Sequence, residues 1–429
     1  MIKKIFINVT EVLISLLLIA IILGFLFKLL QDKQSIRKYR EFYEAAEEYD
    51  VLFFGSSHML QTALPLEIWR NYGIRSYNMG NGNENIAVSY QVIKNALDYC
   101  TPKIIMLDVY NSFDDQRLTK EQENMPHQFF DTVRPDSPHK KESIYELFPD
   151  DERQRWNYLL DFTVYHSRWN DLTKGDFYVR DDGLGGARFT LDSFSPRNPD
   201  SGRPATVEMS PEAKNYLIKI RDLCSEKGIR LICVVNPYPA WYEMANEGFL
   251  QAVKDQDLEQ RGMKFQDVDF EPVMSELGLE FIDLRDTDII DKYADGCDFM
   301  HVTLCGARKI SDFYGQYLKD TGIELNTPQS SEGLWQKRYR TYIMRKAEML
   351  KDCRDCAAIL TDLNDPDFLF DIKLRSDPNL STTMKHMLEN ASDYKNVSIE
   401  TDDSIDSSLK IRISVKETGE CIVDELFDL

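Results

Sequence analysis

The chain has 429 residues, more than one hydrophobic core usually organises, so we expect at least two folded units. Hydrophobic residues make up 43% and aromatic residues 11%, which is enough apolar material for packed globular domains. The chain carries 51 Lys and Arg against 72 Asp and Glu, and the net charge of −21 argues against binding to nucleic acid and against a polybasic membrane-surface patch.

An apolar run extends from residue 5 to residue 30. Its centre, residues 12–27, contains Ser15 as its one polar residue before Lys28. A helix needs about 20 mostly apolar residues to cross a hydrocarbon core of roughly 30 Å. The run is long for a cleaved signal peptide, and no small-x-small cleavage site follows it. The sequence therefore predicts an uncleaved transmembrane anchor within residues 1–34, in contact with the membrane through residues 5–30.

Basic residues stand on both sides of this run, and their distribution bears on its orientation. Lys3 and Lys4 precede it, whereas a larger basic group overlaps its end and follows it: Lys28, Lys33, Arg37, Lys38 and Arg40. By the positive-inside rule this distribution favours a cytoplasmic position for the bulk of the chain. The chemistry inferred below favours the opposite, extracytoplasmic side, so the two signals conflict. Residues 31–48 are charged and helix-prone, as expected of a stalk between membrane and domain.

Short apolar runs alternate with helical patterns after residue 48. Five runs are typical of buried parallel strands, which are covered on both faces: residues 51–54, 76–78, 104–109, 231–235 and 279–284. Helical patterns lie between them, as at residues 85–99 and 210–228. This alternation predicts an α/β fold, a three-layer α/β/α sandwich with a mostly parallel sheet.

Two segments depart from the alternation. Residues 112–209 form a long insertion, and an insertion of this length is typical of a lid or a substrate wall. Residues 326–429 predict a small, separate α+β domain with an interaction or structural role. It starts with a helix around Trp335, continues with strand-like residues 357–363, and ends in a hairpin of residues 409–415 and 421–427. The predicted domains are therefore 1–34, 35–325 and 326–429.

The chain contains eight cysteines, of which Cys353 and Cys356 form a C-x-x-C pair. No second Cys or His pair with the spacing of a zinc site accompanies them, so coincidence on one helix face is favoured over a metal or redox site. Cys224 and Cys233 lie in helix-like and strand-like apolar runs, where a thiol acts as a small hydrophobic side chain.

Polar residues that could do chemistry follow the predicted strands, where open α/β sheets bind their ligands. Residues 55–58 (Gly-Ser-Ser-His) follow the first strand, and the glycine permits a tight turn from which Ser57 can project. Gly80 follows the second strand with a backbone N–H, and Asn111 follows the third with a side-chain amide. Both groups could donate to an oxyanion, although each is also typical of an ordinary turn or cap.

Asp298 and His301 stand three residues apart, shortly before a helical run. An Asp at this spacing can hydrogen-bond the imidazole within one turn, which fixes its tautomer and stabilises the imidazolium. The chain has six histidines in all, so this arrangement is more telling than an isolated D-x-x-H pattern.

These features occur in one order, from Gly-Ser-Ser through Gly and Asn to D-x-x-H, and in this order the sequence resembles the SGNH (GDSL-like) hydrolase superfamily over residues 48–322. The resemblance implies a flavodoxin-like sandwich, with Ser57 as the nucleophile, His301 as the base and Asp298 as its orienting partner. It implies an oxyanion hole that includes Gly80 and Asn111, and a reaction that needs no metal and no diffusible cofactor.

The resemblance is closest to a membrane-anchored branch that includes alginate O-acetylation proteins and the teichoic acid D-alanine-transfer protein. It implies a bacterial serine esterase or O-acyltransferase that transfers an acyl group, most simply acetyl, on a cell-surface polysaccharide. It also implies an extracytoplasmic catalytic domain and a polytopic membrane acyltransferase as partner. Two features depart from the family pattern: the third block lacks G-x-N-D, and Thr303 stands where relatives often have Asn.

Other interpretations remain open. His58 is an alternative base, and Asp108 and His166 are candidates for substrate contact as well as for ordinary core or surface roles. A non-catalytic binding or scaffolding subunit of a polysaccharide modification or export complex is the alternative in a different class. A cytoplasmic-facing lipid esterase would follow from the positive-inside count. A transferase and a hydrolase differ only in the acceptor that reaches the acyl-enzyme.

Overall fold

The computed structural model describes residues 2–31, 33–112, 130, 137–159, 168–170, 172–177, 183–194, 206–239, 267–298, 300–325 and 332–428. The helices and strands named below lie within these ranges. Much of the predicted insertion (112–209), including His166, lies outside the described residues.

Two helices open the chain, α1 (Ile2–Leu30) and α2 (Lys33–Glu44). The large apolar side chains described along α1, from Val12 to Leu26, are exposed. Within the described residues, no helix combines the length and the apolarity that a membrane crossing requires. The transmembrane anchor stays a prediction.

Helix α2 packs on the globular part of the chain and is not the free stalk that its charged sequence predicts. Tyr39 and Phe42 are buried in the core, and the Phe42 ring lies 5.6 Å from that of Tyr77. Tyr77 donates its hydroxyl to the carbonyl of Lys38, and the Lys38 ammonium donates to the carbonyl of Gly80. One apolar face thus makes α2 part of the domain, despite its many charges.

Five parallel strands form the central sheet, in the order β2-β1-β3-β5-β7. They are β1 (Val51–Phe54), β2 (Ser76–Asn78), β3 (Ile104–Asp108), β5 (Arg230–Val235) and β7 (Glu280–Asp283). All five predicted strands are confirmed, each within one residue at either end. Strands β1 to β3 are buried throughout, which explains their uninterrupted apolar sequences. Two short strands, β4 (Thr206–Val207) and β6 (Asp267–Val268), pair separately.

Helices cover both faces of this sheet. They are α3 (Ser57–Thr62), α4 (Pro65–Tyr72), α5 (Ile86–Ala96), α6 (His139–Leu147), α7 (Glu152–Leu159), α8 (Pro211–Glu226), α9 (Glu271–Leu277) and α10 (Leu304–Asp320). Helix α10 packs on α3 and α4, whereas α8 packs on α5. Right-handed crossovers place α4 and α5 on opposite faces, because the chain moves in opposite directions across the sheet in these two connections. The result is the predicted three-layer sandwich, with a flavodoxin-like strand order whose switch point lies between β1 and β3.

The C-terminal residues form a smaller α+β unit around a four-stranded sheet, in the order β11-β10-β8-β9. Its elements are α11 (Glu332–Asp352), α12 (Cys356–Leu360), β8 (Phe368–Leu374), α13 (Thr382–Ala391), β9 (Val397–Thr401), β10 (Leu409–Val415) and β11 (Cys421–Phe427). The predicted terminal hairpin is confirmed as β10 and β11. It turns at Gly419, whose φ of +71° favours glycine.

The predicted strand at residues 357–363 is wrong, because this segment begins inside helix α12. Asp355 caps the helix by accepting a hydrogen bond from the N–H of Ala357, at 2.9 Å. A short apolar run suits a buried helix as well as a strand, and here the cap decides between them. Cys353 and Cys356 flank this cap as free thiols.

A buried network of charged side chains joins the two units. Arg308 of α10 lies 3.2 Å from Glu67 and 2.5 Å from Asp362, and it also contacts Asp365. Lys346 of α11 lies 2.6 Å from Asp365 and 3.3 Å from Glu67. No residue of these five is more than 7% exposed. Removing one partner of such a network leaves an uncompensated buried charge, which costs about 3–5 kcal/mol.

Candidate active site

The turn after β1 positions Ser57 at the carboxyl end of the sheet. Gly55 has a φ of +132°, which side chains rarely adopt, and a Cβ there would lie 2.6 Å from the Cβ of Asp108. The hydroxyl of Ser56 caps helix α3 by accepting a hydrogen bond from the N–H of His58, at 3.2 Å. Ser57 is the first residue of this helix. Turn, cap and helix start thus account for the Gly-Ser-Ser sequence.

Ser57, His301 and Asp298 form a continuous hydrogen-bonded chain. The Nε2 atom of His301 lies 2.8 Å from Oγ of Ser57, and Nδ1 of the same ring lies 2.7 Å from Oδ2 of Asp298. The other oxygen of Asp298 accepts from the N–H groups of Met300 and His301, at 2.7 and 2.8 Å. The structure therefore brings together the three residues assigned to the triad from the sequence, in the geometry of a serine, a base and an orienting carboxylate.

The carboxylate of Asp298 is held in its charged form. Burial on its own raises the pKa of this group, but the hydrogen bond and charge of the His301 ring, with the two backbone N–H groups, bring the pKa below its ordinary value. A charged carboxylate at Nδ1 keeps the proton of the neutral ring on that nitrogen. Nε2 is then the atom that can accept the Ser57 proton.

The loop that carries Asp298 and His301 is closed by contacts between its two ends. Gly296 and Val302 pair as an antiparallel bridge. The N–H of Thr303 donates to the carbonyl of Asp295 at 2.7 Å, and the Thr303 hydroxyl caps α10 by accepting from the N–H of Gly306 at 3.3 Å. Thr303, the residue that departs from the family pattern, therefore serves as the cap of the helix behind the loop.

The C-terminal unit contacts the first turn of α10, directly after this loop. The N–H of Cys305 donates to the carbonyl of Thr361 at 3.0 Å, and the amide of Asn364 donates to the carbonyl of Cys305 at 3.1 Å. Arg308 donates to the side-chain oxygen of Asn364, at 3.0 Å. These residues were not identified from the sequence, since nothing in its pattern pairs position 305 with positions 361–364.

The predicted oxyanion role of Gly80 finds no support in its contacts. Its N–H donates to the side-chain oxygen of Asn78 at 2.9 Å, so this donor is already engaged. A Cβ at position 80 would lie 3.0 Å from the nitrogen of Leu60 and 3.2 Å from the carbonyl oxygen of Ser56. A side chain at position 80 would be crowded, because the backbone after β2 packs closely on the start of α3.

The predicted oxyanion role of Asn111 finds no support either. Its side-chain amide donates to the carbonyl of Glu84 at 3.0 Å and ties the end of β3 to the turn after β2. Glu84 itself is 1% exposed, and burial raises its pKa to about 7 although it accepts hydrogen bonds from Asn81 and Ser89. The N–H of Ser57 meets no acceptor among the residues that the structure describes, whereas the N–H of Gly80 and the amide of Asn111 are both engaged.

His58 is buried beside the triad but is not the base in contact with Ser57. Its ring stacks on Tyr110 at 4.1 Å and meets the rings of Tyr238 and His301 in T-shaped contacts, at 5.1 and 5.3 Å. Burial, with a smaller contribution from His301, lowers the pKa of His58 well below its ordinary value, so the ring stays neutral. Neither ring nitrogen has a hydrogen-bond partner among the described residues.

Asp108 supports the nucleophile turn. Its carboxylate accepts hydrogen bonds from the hydroxyl of Ser56 at 2.6 Å and from the N–H of Tyr110 at 3.2 Å, and burial raises its pKa to about 6. Tyr110 and Tyr238 wall the site, and they are not among the site residues expected from the sequence. The signal that could have identified them in the sequence is their position shortly after β3 and β5, because open α/β sheets bind ligands beyond the carboxyl ends of their strands.

One group of described side chains has the spacing to hold a metal ion, namely Glu67, Asp365 and Asp367. The ammonium of Lys346 lies 3.3, 2.6 and 2.9 Å from these three carboxylates, so a cation of the protein itself occupies their centre. This group belongs to the junction of the two units and shares no residue with the triad.

No protein-family model matches this chain, and no curated protein matches it. Among the solved structures that align with it, a proposed acylhydrolase from Bacteroides fragilis covers 69% of this chain and 100% of its own, at 10% identity and a TM-score of 0.31. A proposed platelet activating factor from Streptococcus pneumoniae covers 71% and 98%, at 14% identity and a TM-score of 0.32. An α/β hydrolase from the metagenome of Lake Arreo, Spain, covers 66% and 98%, at 9% identity and a TM-score of 0.29. Because these sequence identities and TM-scores are low, the chemistry of this chain is inferred from its own side chains.

Proposed function

We propose that this chain is a membrane-anchored serine esterase or O-acyltransferase of the SGNH type, which transfers an acyl group, most simply acetyl, on a cell-surface polysaccharide. One observation carries the proposal: His301 contacts both Ser57 and Asp298, at 2.8 and 2.7 Å. A serine hydroxyl is a weak nucleophile unless an adjacent base removes its proton. The base in turn needs a partner that fixes its tautomer, and Asp298 has the position and charge to do so.

In the proposed reaction, His301 takes the Oγ proton of Ser57 while Oγ forms a bond to the ester carbonyl carbon. The carbonyl electron pair moves onto oxygen, and the N–H of Ser57 donates to this oxyanion. Collapse of the tetrahedral intermediate expels the alcohol, which receives its proton from His301, and leaves an acyl-serine. Water or a sugar hydroxyl then attacks the acyl carbon while His301 takes its proton; the bond from the acyl carbon to Oγ breaks, and His301 returns the proton to Ser57. Asp298 stabilises the imidazolium in both halves of the reaction.

The membrane part of the proposal rests on helix α1. Its exposed apolar side chains would be removed from water in a hydrocarbon layer. Helix α2 follows α1 directly and packs on the catalytic unit through Tyr39 and Phe42, so the triad would work close to the membrane surface. We place this unit on the extracytoplasmic side, where it would receive acyl groups from a polytopic membrane acyltransferase.

A second function, a non-catalytic binding or scaffolding subunit, is favoured by one specific observation. The N–H of Gly80 and the amide of Asn111 are both engaged within the protein. Each oxyanion donor is worth about 10²–10³ in rate, so an enzyme left with the N–H of Ser57 alone would be slow. The rate of the purified chain separates the two functions.

The test uses the full-length chain in detergent, because α2 is part of the core and a fragment without it would lose packing. Release of p-nitrophenol from p-nitrophenyl acetate is measured for the wild type, Ser57→Ala, His301→Ala and the control His139→Ala. His139 pairs with Asp98 at 3.2 Å and takes no part in the triad. We expect a loss of about 10³-fold or more in both triad variants and none in the control. A wild-type rate no higher than that of Ser57→Ala rejects the esterase and favours the binding subunit.

A further inference from the structure

The last turn of helix α1 is held by side chains from outside the helix. The large apolar side chains described along the centre of α1 are exposed, whereas Leu30 at its end is 6% exposed. Arg168 donates a hydrogen bond to the carbonyl of Leu30 at 2.6 Å, and Lys33 of α2 donates to the carbonyl of Leu29 at 3.1 Å. The last four carbonyls of an α-helix have no partner within the helix, so these contacts satisfy two of them.

Arg168 belongs to a short part of the predicted insertion, residues 168–170 and 172–177, which we call the joint segment. It contains two 3₁₀ turns, Arg168–Asn170 and Lys174–Phe177, and the second turn packs on α1. Asp176 is buried and holds the segment together. It lies 3.0 Å from Arg168 and accepts hydrogen bonds from the N–H and the hydroxyl of Thr173, at 2.8 and 3.0 Å. The end of α1 is thus fixed to an ordered part of the insertion.

Two large aromatic side chains of the joint segment are exposed. Trp169 is 66% exposed and Phe177 is 61% exposed. Each directly follows one member of the ion pair between Arg168 and Asp176, so the rings flank the contact with α1. Lys174, between them in the chain, is exposed as well. Tryptophan and phenylalanine together with lysine are typical of protein surfaces that lie in the interface of a lipid bilayer.

The position of the joint along α1 sets the depth of these rings. Leu26 is exposed, and Leu30 stands four residues later, which is a rise of about 6 Å along an α-helix. The headgroup layer on each side of a bilayer is about 5–8 Å thick, since the hydrocarbon core measures about 30 Å of a total of about 40–45 Å. When Leu26 lies in the hydrocarbon, the residue that is hydrogen-bonded to Leu30 therefore lies among the headgroups.

We propose that the joint segment binds the lipid surface through Trp169 and Phe177, as a second membrane contact beside α1. This inference rests on the membrane anchor of the proposed function. The Trp169 ring is apolar and carries one N–H, which suits the boundary between acyl chains and water. Lys174 places its stem along the same surface and its ammonium at the lipid phosphates. Two contacts restrict the rotation of the catalytic unit on its anchor.

The test places the full-length chain, without any other protein, in nanodiscs of phosphatidylcholine that is either unmodified or brominated near the top of its acyl chains. Bromine quenches the fluorescence of a tryptophan that it contacts, and α1 itself contains no tryptophan. Wild type is compared with Trp169→Phe and with the control Trp156→Phe. Trp156 is 55% exposed and lies on α7, which packs on α6.

We expect brominated lipid to quench the wild type and the control alike, and Trp169→Phe to lose most of this quenching. The double variant Trp169→Phe/Phe177→Trp should regain it, because residue 177 belongs to the same proposed contact. Hydrolysis of p-nitrophenyl acetate by all these variants should equal that of the wild type, since the joint segment shares no residue with the triad.

Three outcomes overturn the proposal: equal quenching of the wild type and Trp169→Phe, an equal loss in Trp169→Phe and Trp156→Phe, or a double variant that stays unquenched. A chain that enters nanodiscs and gives one of these results keeps the proposed anchor and loses the second contact, which leaves the exposed rings to a protein partner. A chain that does not enter nanodiscs overturns the anchor and this inference together. Ser57-dependent hydrolysis in detergent tests the esterase independently of all these outcomes.

Discussion

The side-chain amide of Asn364 donates a hydrogen bond to the carbonyl oxygen of Cys305, at 3.1 Å. Asn364 belongs to the C-terminal unit, whereas Cys305 lies in the first turn of α10, four residues after His301. Arg308, almost one turn further along, donates to the same asparagine. The C-terminal unit thus fixes the start of the helix that follows the loop of Asp298 and His301, which gives this unit a structural role at the site.

Asp298→Asn is expected to lower kcat for p-nitrophenyl acetate by about 10²–10⁴-fold, with KM changed little. The amide cannot stabilise an imidazolium, and it no longer selects the tautomer of His301 that accepts a proton at Nε2. Asp312→Asn is the control, because Asp312 accepts a hydrogen bond from Tyr72 at 2.7 Å on the protein surface. A kcat for Asp298→Asn within threefold of wild type would contradict the orienting role.

Lys346→Met is expected to lower the free energy of unfolding by about 3–5 kcal/mol, since Glu67, Asp365 and Asp367 lose the ammonium at their centre. The matched control is Lys373→Met, in which a half-exposed lysine loses its surface contact with Asp402 and little should change. Urea unfolding followed by circular dichroism gives both values. Similar effects of the two substitutions would show that the buried network does not hold the units together.

Glu84→Gln is expected to stabilise the protein, and more strongly at pH 8 than at pH 5. Burial raises the pKa of Glu84 to about 7, so the unfolded chain, with an ordinary pKa of about 4.3, releases this proton first. Stability due to this group is therefore present below about pH 4 and is lost as the pH rises through 7. The neutral amide can accept from Asn81 through its oxygen and donate through its NH₂ to the Ser89 hydroxyl, and we expect a gain of about 1–3 kcal/mol at pH 8. Calorimetric Tm differences that are equal at the two pH values would contradict this account.

His58→Phe distinguishes the two histidines that could act as the base. We expect kcat within about fivefold of wild type, because His301 and not His58 contacts Ser57. Phenylalanine keeps the stacking on Tyr110 and removes two buried nitrogens, so stability should rise by about 1–2 kcal/mol.

The stability gain of His58→Phe should also depend on pH. The pKa of His58 is lowered in the folded state. Below about pH 6.5 the unfolded chain therefore binds a proton at His58, whereas the folded chain does not. The wild type thus loses stability as the pH falls below this value. The gain should therefore be larger at pH 5 than at pH 8, and thermal unfolding of both proteins at these two pH values measures it.

A loss of kcat in His58→Phe as large as that of His301→Ala would identify His58 as the base instead.

The sequence predicts the sheet well because its signals are local. The run at residues 104–109 is uninterrupted and apolar, as burial on both faces requires, and the structure places β3 there. The same reasoning places Ser57 after β1, since Gly55 and Ser56 are the residues that the turn and the cap need. Features fixed by a few consecutive residues can therefore be derived from the sequence.

Features fixed by distant partners could not be derived in this way. Gly80 and Asn111 have the residue types of oxyanion donors, but their hydrogen bonds are decided by Asn78 and by the carbonyl of Glu84. Lys346 resembles any charged residue of an exposed helix face until acidic groups from α4 and from residues 362–367 surround it. Only the folded chain shows which polar groups are already satisfied.

The contact between Asn364 and Cys305 also bears on the timing of synthesis. A ribosome adds residues from the amino terminus, and units fold as they emerge. Ser57 is translated long before His301, and Lys346, Thr361 and Asn364 come later still. A nascent or prematurely terminated chain would lack the contacts that fix the start of α10. A product that ends before residue 361 would therefore lack the hydrogen bonds that hold the helix directly after the loop of Asp298 and His301.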